Sequence, residues 1–364
     1  MDPIKVRLGD RSYKILVGKL LSPAFSAEMS RLDLGSEAVI VTNPKVKALF
    51  GRQVKRMLEK AGFRTRFSVV PDSEKAKSLG EAMKLLAAIS DADGKGKRLF
   101  VAALGGGVVG DLAGFAASAY KRGIPYIQIP TTLLAQVDSS IGGKVAVDLP
   151  EGKNLVGAFY QPKAVFVDIS FLYRLSPRDF RSGLAEAVKY AIIGDRAMFS
   201  RLEHGIGKIH KRDPGLLSYM VRECASIKAG IVSRDEREKK SIRTVLNYGH
   251  TIGHAIESAW GYSNTYSHGE AVSLGMIAAA RISNRLGVLA SAELSRIETV
   301  IAALGLPVRL KKTRTGKIMA SLAYDKKFIR GVNRFVLPAR IGKVIIKENI
   351  PEPIILKEIE SLSN

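Results

Sequence analysis

The sequence predicts an α/β unit on a parallel sheet, followed by a mostly α-helical unit, and three observations carry that prediction. In the first half, short apolar runs alternate with helical patterns, and such alternation implies crossover connections and parallel strands, the layout of nucleotide-binding domains. Beyond Val165–Asp168 helical periodicity takes over. At 364 residues the chain also exceeds one ordinary core, so two domains are expected. A boundary within Ser170–Pro177 separates 1–172 from 173–364.

Taken in order, the candidate strands of the first half are Val39–Thr42, Phe67–Val70, Leu99–Ala103, Tyr126–Ile129 and Val165–Asp168, each a short apolar run. Helical spacing fills the gaps at Lys45–Lys60, Gly80–Ser90 and Gly110–Tyr120. The second half reads as helices at Leu184–Ile193, Gly215–Val232, Leu246–Ser258, Glu270–Leu286 and Ala292–Leu304. Strands there are confined to Arg334–Leu337 and Val344–Ile346. No internal repeat or low-complexity segment interrupts the pattern.

Hydrophobic residues make up 46% and charged residues 25%, the balance of a folded chain rather than a disordered one. The opening MDPIKVRLGD has no apolar h-region, and runs such as Met276–Ala280 fall far short of a membrane span, so a cytoplasmic protein with no membrane partner is expected. The one cysteine, Cys224, excludes an intrachain disulfide and a cysteine-built zinc site, leaving His and carboxylate to hold any metal. A net charge of +23 raises nucleic-acid binding, yet the basic residues are scattered. Lys55, Arg56 and Lys60, then Arg309, Lys311, Lys312 and Arg314, then Lys326, Lys327 and Arg330 form no basic face interleaved with aromatics. No zinc-finger or RNA-recognition signature appears either. The charge reads as solvated surface and as attraction for an anionic substrate, with no nucleic-acid partner.

Chemistry concentrates between Arg243 and Glu270, which hold three of the five histidines: His250, His254 and His268. Imidazole is both a metal ligand and a proton shuttle near neutral pH. A helix over Leu246–Ser258 puts His250 and His254 one turn apart on a shared face, which favours those two as joint ligands, with His268 returning from the next helix. Their spacing is that of zinc proteases, but Thr251 stands where that motif needs a glutamate base. In RSGLAEAVKYAII, Glu186 and Lys189 sit at i,i+3 on an apolar helix; either they satisfy each other or Glu186 binds metal.

The first half has its own candidate. LFVAALGGGVVGDLAGFAA leaves a strand and opens a helix, so Gly105, Gly106 and Gly107 can bring backbone amides against a pyrophosphate, although three glycines serve equally as plain turn chemistry. No GxxxxGK[ST] loop is present. Downstream, Asp138, Lys144, Lys153 and Asn154 lie among small residues, where the lysines can pair with phosphate or simply ride a solvated loop.

These motifs, in this order, resemble the 3-dehydroquinate synthase family of sugar phosphate cyclases. The resemblance runs from about Thr42 to Lys343. It rests on PDSEKAK, LGGGVVGDLAGF, RGIPYIQIPTTLLAQVDSSIGGK, GKN, GLAEAVKYA, LNYGHTIGHAIE, SHGEAV and the late DKK at Asp325–Lys327. It implies a carbon–oxygen lyase of the shikimate pathway, in aromatic amino-acid biosynthesis. An N-terminal domain binds NAD, a helical domain binds zinc (cobalt can replace it), and substrate lies in the cleft between them.

Matched motif by motif, the resemblance implies zinc ligands at Glu186, His250 and His268, with His254 facing substrate instead. It implies NAD contacts at Asn43, Glu74, Lys77, Gly106, Gly107 and Asp111, at Thr131 and Thr132, and shared with substrate at Lys144 and Lys153. The catalytic shell falls on Asp138, Lys144, Lys189, Lys228, Arg243, Asn247 and His254, with Lys153, Asn154 and one of Lys326 or Lys327 holding substrate. Arg122 matches a residue that reaches a neighbouring subunit's phosphate site, which implies a homodimer. One departure is visible: after GGK the family usually carries Thr-Gly or Thr-Ala with Asn two residues on, where this chain has Val145, Ala146, Val147 and Asp148.

The implied reaction takes 3-deoxy-D-arabino-heptulosonate 7-phosphate to 3-dehydroquinate and phosphate. Its steps are transient oxidation by NAD, β-elimination of phosphate, return of the hydride and intramolecular aldol closure. A related cyclase acting on another sugar phosphate would share metal and NAD but need no carboxylate reader. A zinc-dependent polyol dehydrogenase would release NADH, and the crowd of anion-binding residues argues against it.

Overall fold

The strands in chain order are β1 (Ile4–Val6), β2 (Tyr13–Gly18), β3 (Glu37–Thr42), β4 (Arg64–Val69), β5 (Leu99–Gly105), β6 (Tyr126–Pro130), β7 (Lys144–Leu149), β8 (Gly152–Phe159), β9 (Ala164–Asp168), β10 (Arg334–Arg340) and β11 (Lys343–Glu348). They belong to a computed structural model that describes residues 2–20, 22–94, 98–324 and 332–363. Seven of them form one sheet in the order β1-β2-β9-β6-β5-β3-β4, parallel throughout except for the β1–β2 pair. The α/β expectation therefore holds.

Strands β3 and β5 are buried along their whole length, as central parallel strands covered on both faces must be. Alternate side chains divide between two cores. Ile40 and Phe100 join Phe25, Met29, Val54 and Met57 on one face; Val39, Val41 and Val101 join Leu85, Ile89 and Leu112 on the other. Helices Pro23–Arg31 and Arg52–Lys60 thus supply the first face, Leu79–Ala92 and Gly107–Ala119 the second.

The expected helix Lys45–Lys60 is interrupted: an α turn at Pro44–Val46, capped by the Asn43 side chain, passes through a π-helical turn at Lys47–Gly51 before the α-helix Arg52–Lys60. The stretch after Gly143, where a solvated loop is one of two readings, forms the antiparallel hairpin β7–β8. Val145 and Val147, two residues apart, are its buried face and extend the second core, which accounts for apolar side chains where the family usually has a hydroxyl.

The second half is helical, with β10–β11 as an antiparallel pair. Helices Pro177–Gly194 and His268–Arg285 are buried on most sides, and His250–Ala259 packs against the latter. The helix expected from Leu246 begins only at His250. Ile242–Asn247 is a 3₁₀ turn, and Gly249 at φ +78° takes a left-handed conformation that no α-helix contains. The chain divides into two units, 1–175 with Lys228–Arg237 and Ser176–Ile227 with 238–364. Among the described residues, no helix is long and apolar enough to cross a membrane.

Candidate active site

In the helical unit, Ser176 caps the helix Pro177–Gly194 by accepting from Asp179 N, with Pro177 in the first turn. Halfway along, Glu186 is fully buried and forms an ion pair with equally buried Lys189. Beyond that pair neither Glu186 oxygen accepts a well-formed hydrogen bond, an expensive state for a carboxylate unless a cation completes it.

Two histidines face it. His250 Nε2 and His268 Nε2 lie 3.5 and 3.6 Å from Glu186 Oε1. His250 opens its helix directly after the left-handed Gly249. His268 opens the next helix, fixed by a capping box in which Ser267 and Glu270 satisfy each other's backbone amides. The two helices approach closely: a Cβ on Gly275 would lie 1.9 Å from Gly249 O.

The electrostatics sort the two rings. His250 Nδ1 donates to the Tyr248 carbonyl oxygen at 3.1 Å, which leaves Nε2 as the lone-pair atom. Burial, then the positive charge of Lys189, hold its pKa well below the ordinary value, so it is a neutral donor. For His268 burial opposes charge, but the carboxylates of Glu186 and Glu257 outweigh it and carry the imidazole up to about 10. Glu186, His250 and His268 converge, with donor atoms all within 4.8 Å of one another. One carboxylate and two imidazoles are a three-ligand set suited to a divalent metal with open positions.

His254 is exposed, its ring centroid 5.3 Å from that of His250 and 6.2 Å from that of His268. It belongs to a second convergent set with Glu257 and His268, not to the one containing His250. Glu257, which the sequence reading passed over, lies 3.6 Å from His268 Nδ1. Its signal was present at i+3 from His254. Arg243 is buried, its Nε 3.4 Å from Glu238 Oε1, and Asn247 is half-buried at the end of the same 3₁₀ turn. The left-handed break at Gly249 keeps Arg243 off the helix that begins at His250.

In the α/β unit, β5 ends in Gly105 and Gly106 caps the helix Gly107–Ala119 with no side-chain acceptor, so its first amides are uncapped by any side chain. Thr131 N donates to Gly105 O at 2.9 Å, and Thr132 Oγ1 accepts from Ala135 N at 3.1 Å, placing both threonines beside the glycine turn. Asn43 Nδ2 donates to Asp72 Oδ1 at 2.6 Å, and Lys153 pairs with Glu74 at 3.3 Å. Buried Lys77 donates to Asp111 Oδ2 at 2.8 Å and also to Asn154 Oδ1. Lys228, returned to this unit, donates to the Asp138 carbonyl oxygen at 2.8 Å and pairs with its carboxylate. Lys144 is exposed at the start of β7, and Arg122 is exposed at φ +63°. Lys326 and Lys327 lie outside the described residues.

A carboxylate–histidine donor set on one unit and an amide-rich glycine turn on the other describe an enzyme of the sugar-phosphate cyclase class. The chain belongs to the 3-dehydroquinate synthase family. The family's N-terminal model matches residues 67–182 and its C-terminal model residues 183–328. A 3-dehydroquinate synthase from Desulforamulus reducens is 44% identical over 357 residues, 98% of this chain and 99% of that protein. Among solved structures, 2-epi-5-epi-valiolone synthase from Streptomyces hygroscopicus, with NAD+ and Zn2+ bound, superposes with a TM-score of 0.87 at 29% identity, covering 96% of both chains. A 2-deoxy-scyllo-inosose synthase complexed with carbaglucose-6-phosphate, NAD+ and Co2+ gives 0.87 at 28% identity, covering 99% of this chain and 100% of the other.

Proposed function

We propose that this chain converts 3-deoxy-D-arabino-heptulosonate 7-phosphate to 3-dehydroquinate and inorganic phosphate, with NAD and zinc as cofactors and cobalt able to replace zinc. The observation that carries this reading is the fully buried Glu186 carboxylate facing two histidine nitrogens in a chain of this family. Glu186, His250 and His268 hold the metal. When bound, metal and NAD supply Lewis acidity and a reversible hydride acceptor. Everything else falls to side chains of this protein.

Asn43, Glu74, Lys77, Asp111, Thr131 and Thr132 bind the nucleotide around the open amides of Gly106 and Gly107. Lys144, Lys153 and Asn154, with Lys189, Lys228, Asn247, His254 and one of Lys326 or Lys327, hold the phosphate and hydroxyls of substrate. Asp138 keeps the Lys228 ammonium in place. So many cations suit a substrate carrying both phosphate and carboxylate, and they hold it in one geometry while water is excluded. The cations also give the high net charge a role without nucleic acid. Arg122 serves the phosphate site of a second copy in a homodimer, and 1–172 and 173–364 act as the nucleotide and metal domains. The setting is the cytoplasm.

Arg243 decides between this reaction and that of cyclases whose substrates lack a carboxylate, because its planar fork can pair with a carboxylate through two parallel hydrogen bonds. The test is phosphate release with NAD in catalytic amount. The heptulosonate phosphate is expected to release phosphate without accumulating NADH, and glucose 6-phosphate and sedoheptulose 7-phosphate to release none. Arg243→Lys should weaken binding by about 1–3 kcal/mol, since Lys keeps the charge but not the fork. Equal turnover of a sugar phosphate lacking the carboxylate would overturn the named reaction.

A further inference from the structure

Asp148 is one of the residues by which this chain departs from its family's usual pattern, and its surroundings in the α/β unit give it a function. Its Oδ1 accepts a hydrogen bond from Asn154 N at 2.8 Å. Its own N donates to Lys77 O at 2.7 Å, and the same carboxylate oxygen lies 3.9 Å from Lys77 Nζ. Lys77 in turn donates to Asn154 Oδ1 and, at 2.8 Å, to Asp111 Oδ2 on the helix that opens with the glycine turn. Asn154 sits at φ +57°, a left-handed conformation that Asn tolerates but that still needs support.

Hairpin β7–β8 carries Lys144, Lys153 and Asn154, and Asp148 lies near its tip, where Leu149 pairs with Gly152. The hairpin is also held by its own ladder, by Val145, Val147 and Val156 against the second core, and by the Lys153–Glu74 pair. Asp148 adds a polar link at the far end: one carboxylate holds the Asn154 amide and faces the ammonium that also binds Asp111. The Asp148 side chain is 18% exposed and Lys77 only 6%, so solvent screens their charge pair weakly, whereas the hydrogen bond to the Asn154 amide is exposed.

We propose that Asp148 is a positioning residue that locks Lys153 and Asn154 to Lys77, and through Lys77 to the cofactor helix, so that the hairpin and nucleotide site are built as one piece. The inference rests on the functional reading above. Asp148 touches neither substrate nor cofactor; it acts through Asn154 and Lys77.

The test compares Asp148→Ala with Asp148→Asn in the full chain. Asn keeps an oxygen that can accept from the Asn154 amide; Ala removes it. NAD affinity is measured by titration calorimetry without substrate, and KM and kcat by phosphate release. Asp148→Ala should weaken NAD binding and raise KM for the heptulosonate phosphate each about tenfold, with kcat changed far less. Asp148→Asn should restore most of both. If Asp148→Ala does not fold, Asp148→Ser, which keeps a polar group too short to reach Asn154, is measured in its place. Wild-type NAD affinity and KM in the Ala or Ser variant would overturn the proposal, and so would equal losses in Ala and Asn variants. If the assigned reaction itself is wrong, the wild-type protein releases no phosphate, an outcome distinct from both.

Discussion

Asp111 has a carboxyl that burial pushes up to about 6 from an ordinary 3.8, against the opposing charge of Lys77. Between those values the folded protein binds a proton that the unfolded chain has released, so folding stability falls as pH rises through the window. The shift corresponds to ~3 kcal/mol. Wild-type protein should therefore lose up to about that much stability relative to Asp111→Asn between pH 4 and pH 7, read from denaturant unfolding at the two pH values. A difference that does not change with pH would refute the buried carboxyl. Glu186→Gln keeps the volume but not the anion, so metal content should fall to that of chelator-treated protein while NAD affinity stays near wild type. Elemental analysis of the purified variant decides it, and full metal occupancy removes Glu186 from the site.

Elements place these residues by close packing. His250 and His268 each begin a helix, so their positions depend on where those helices start and how near they lie. Gly275 is the contact that sets the separation, because any Cβ there meets Gly249 O and also the backbone nitrogen of Gly253 at 2.8 Å. Both atoms are main chain and cannot rotate away. Gly275→Ala should cost about 1–3 kcal/mol of stability and lower metal affinity as well. Unfolding free energy and chelator competition measure the two effects. Normal metal affinity in a destabilised variant would show that the helix spacing does not set the ligand geometry.

At the scale of the whole molecule, Arg122 bears on assembly. Arg122 is exposed, on a turn where Lys121 and Arg122 both adopt positive φ. If it completes the phosphate site of a second copy, Arg122→Ala should weaken substrate binding and leave NAD affinity unchanged. Mixing it with a variant inactive at Lys144 should then give hybrid dimers of altered activity. Sedimentation of the wild-type protein as a fully active monomer would contradict this arrangement.

Several features were legible in the residues themselves. Apolar alternation in the first half determined the parallel sheet, because strands covered on both faces must be apolar throughout, as β3 and β5 are. The order of motifs determined the family, and the crowding of histidines marked the helical half for metal. Local spacing could not choose among those histidines. It paired His250 with His254, one turn apart, whereas the carboxylate that converges with His250 and His268 comes from a helix more than sixty residues earlier. Hairpin β7–β8 escaped notice because its apolar face is only a few valines long and gains its meaning from the core it completes. The return of Lys228–Arg237 to the α/β unit, where Lys228 meets Asp138, leaves no periodic trace in the chain. Sequence fixes what each side chain can do; which ones share a site depends on packing between segments far apart along the chain, and only the tertiary structure decides that.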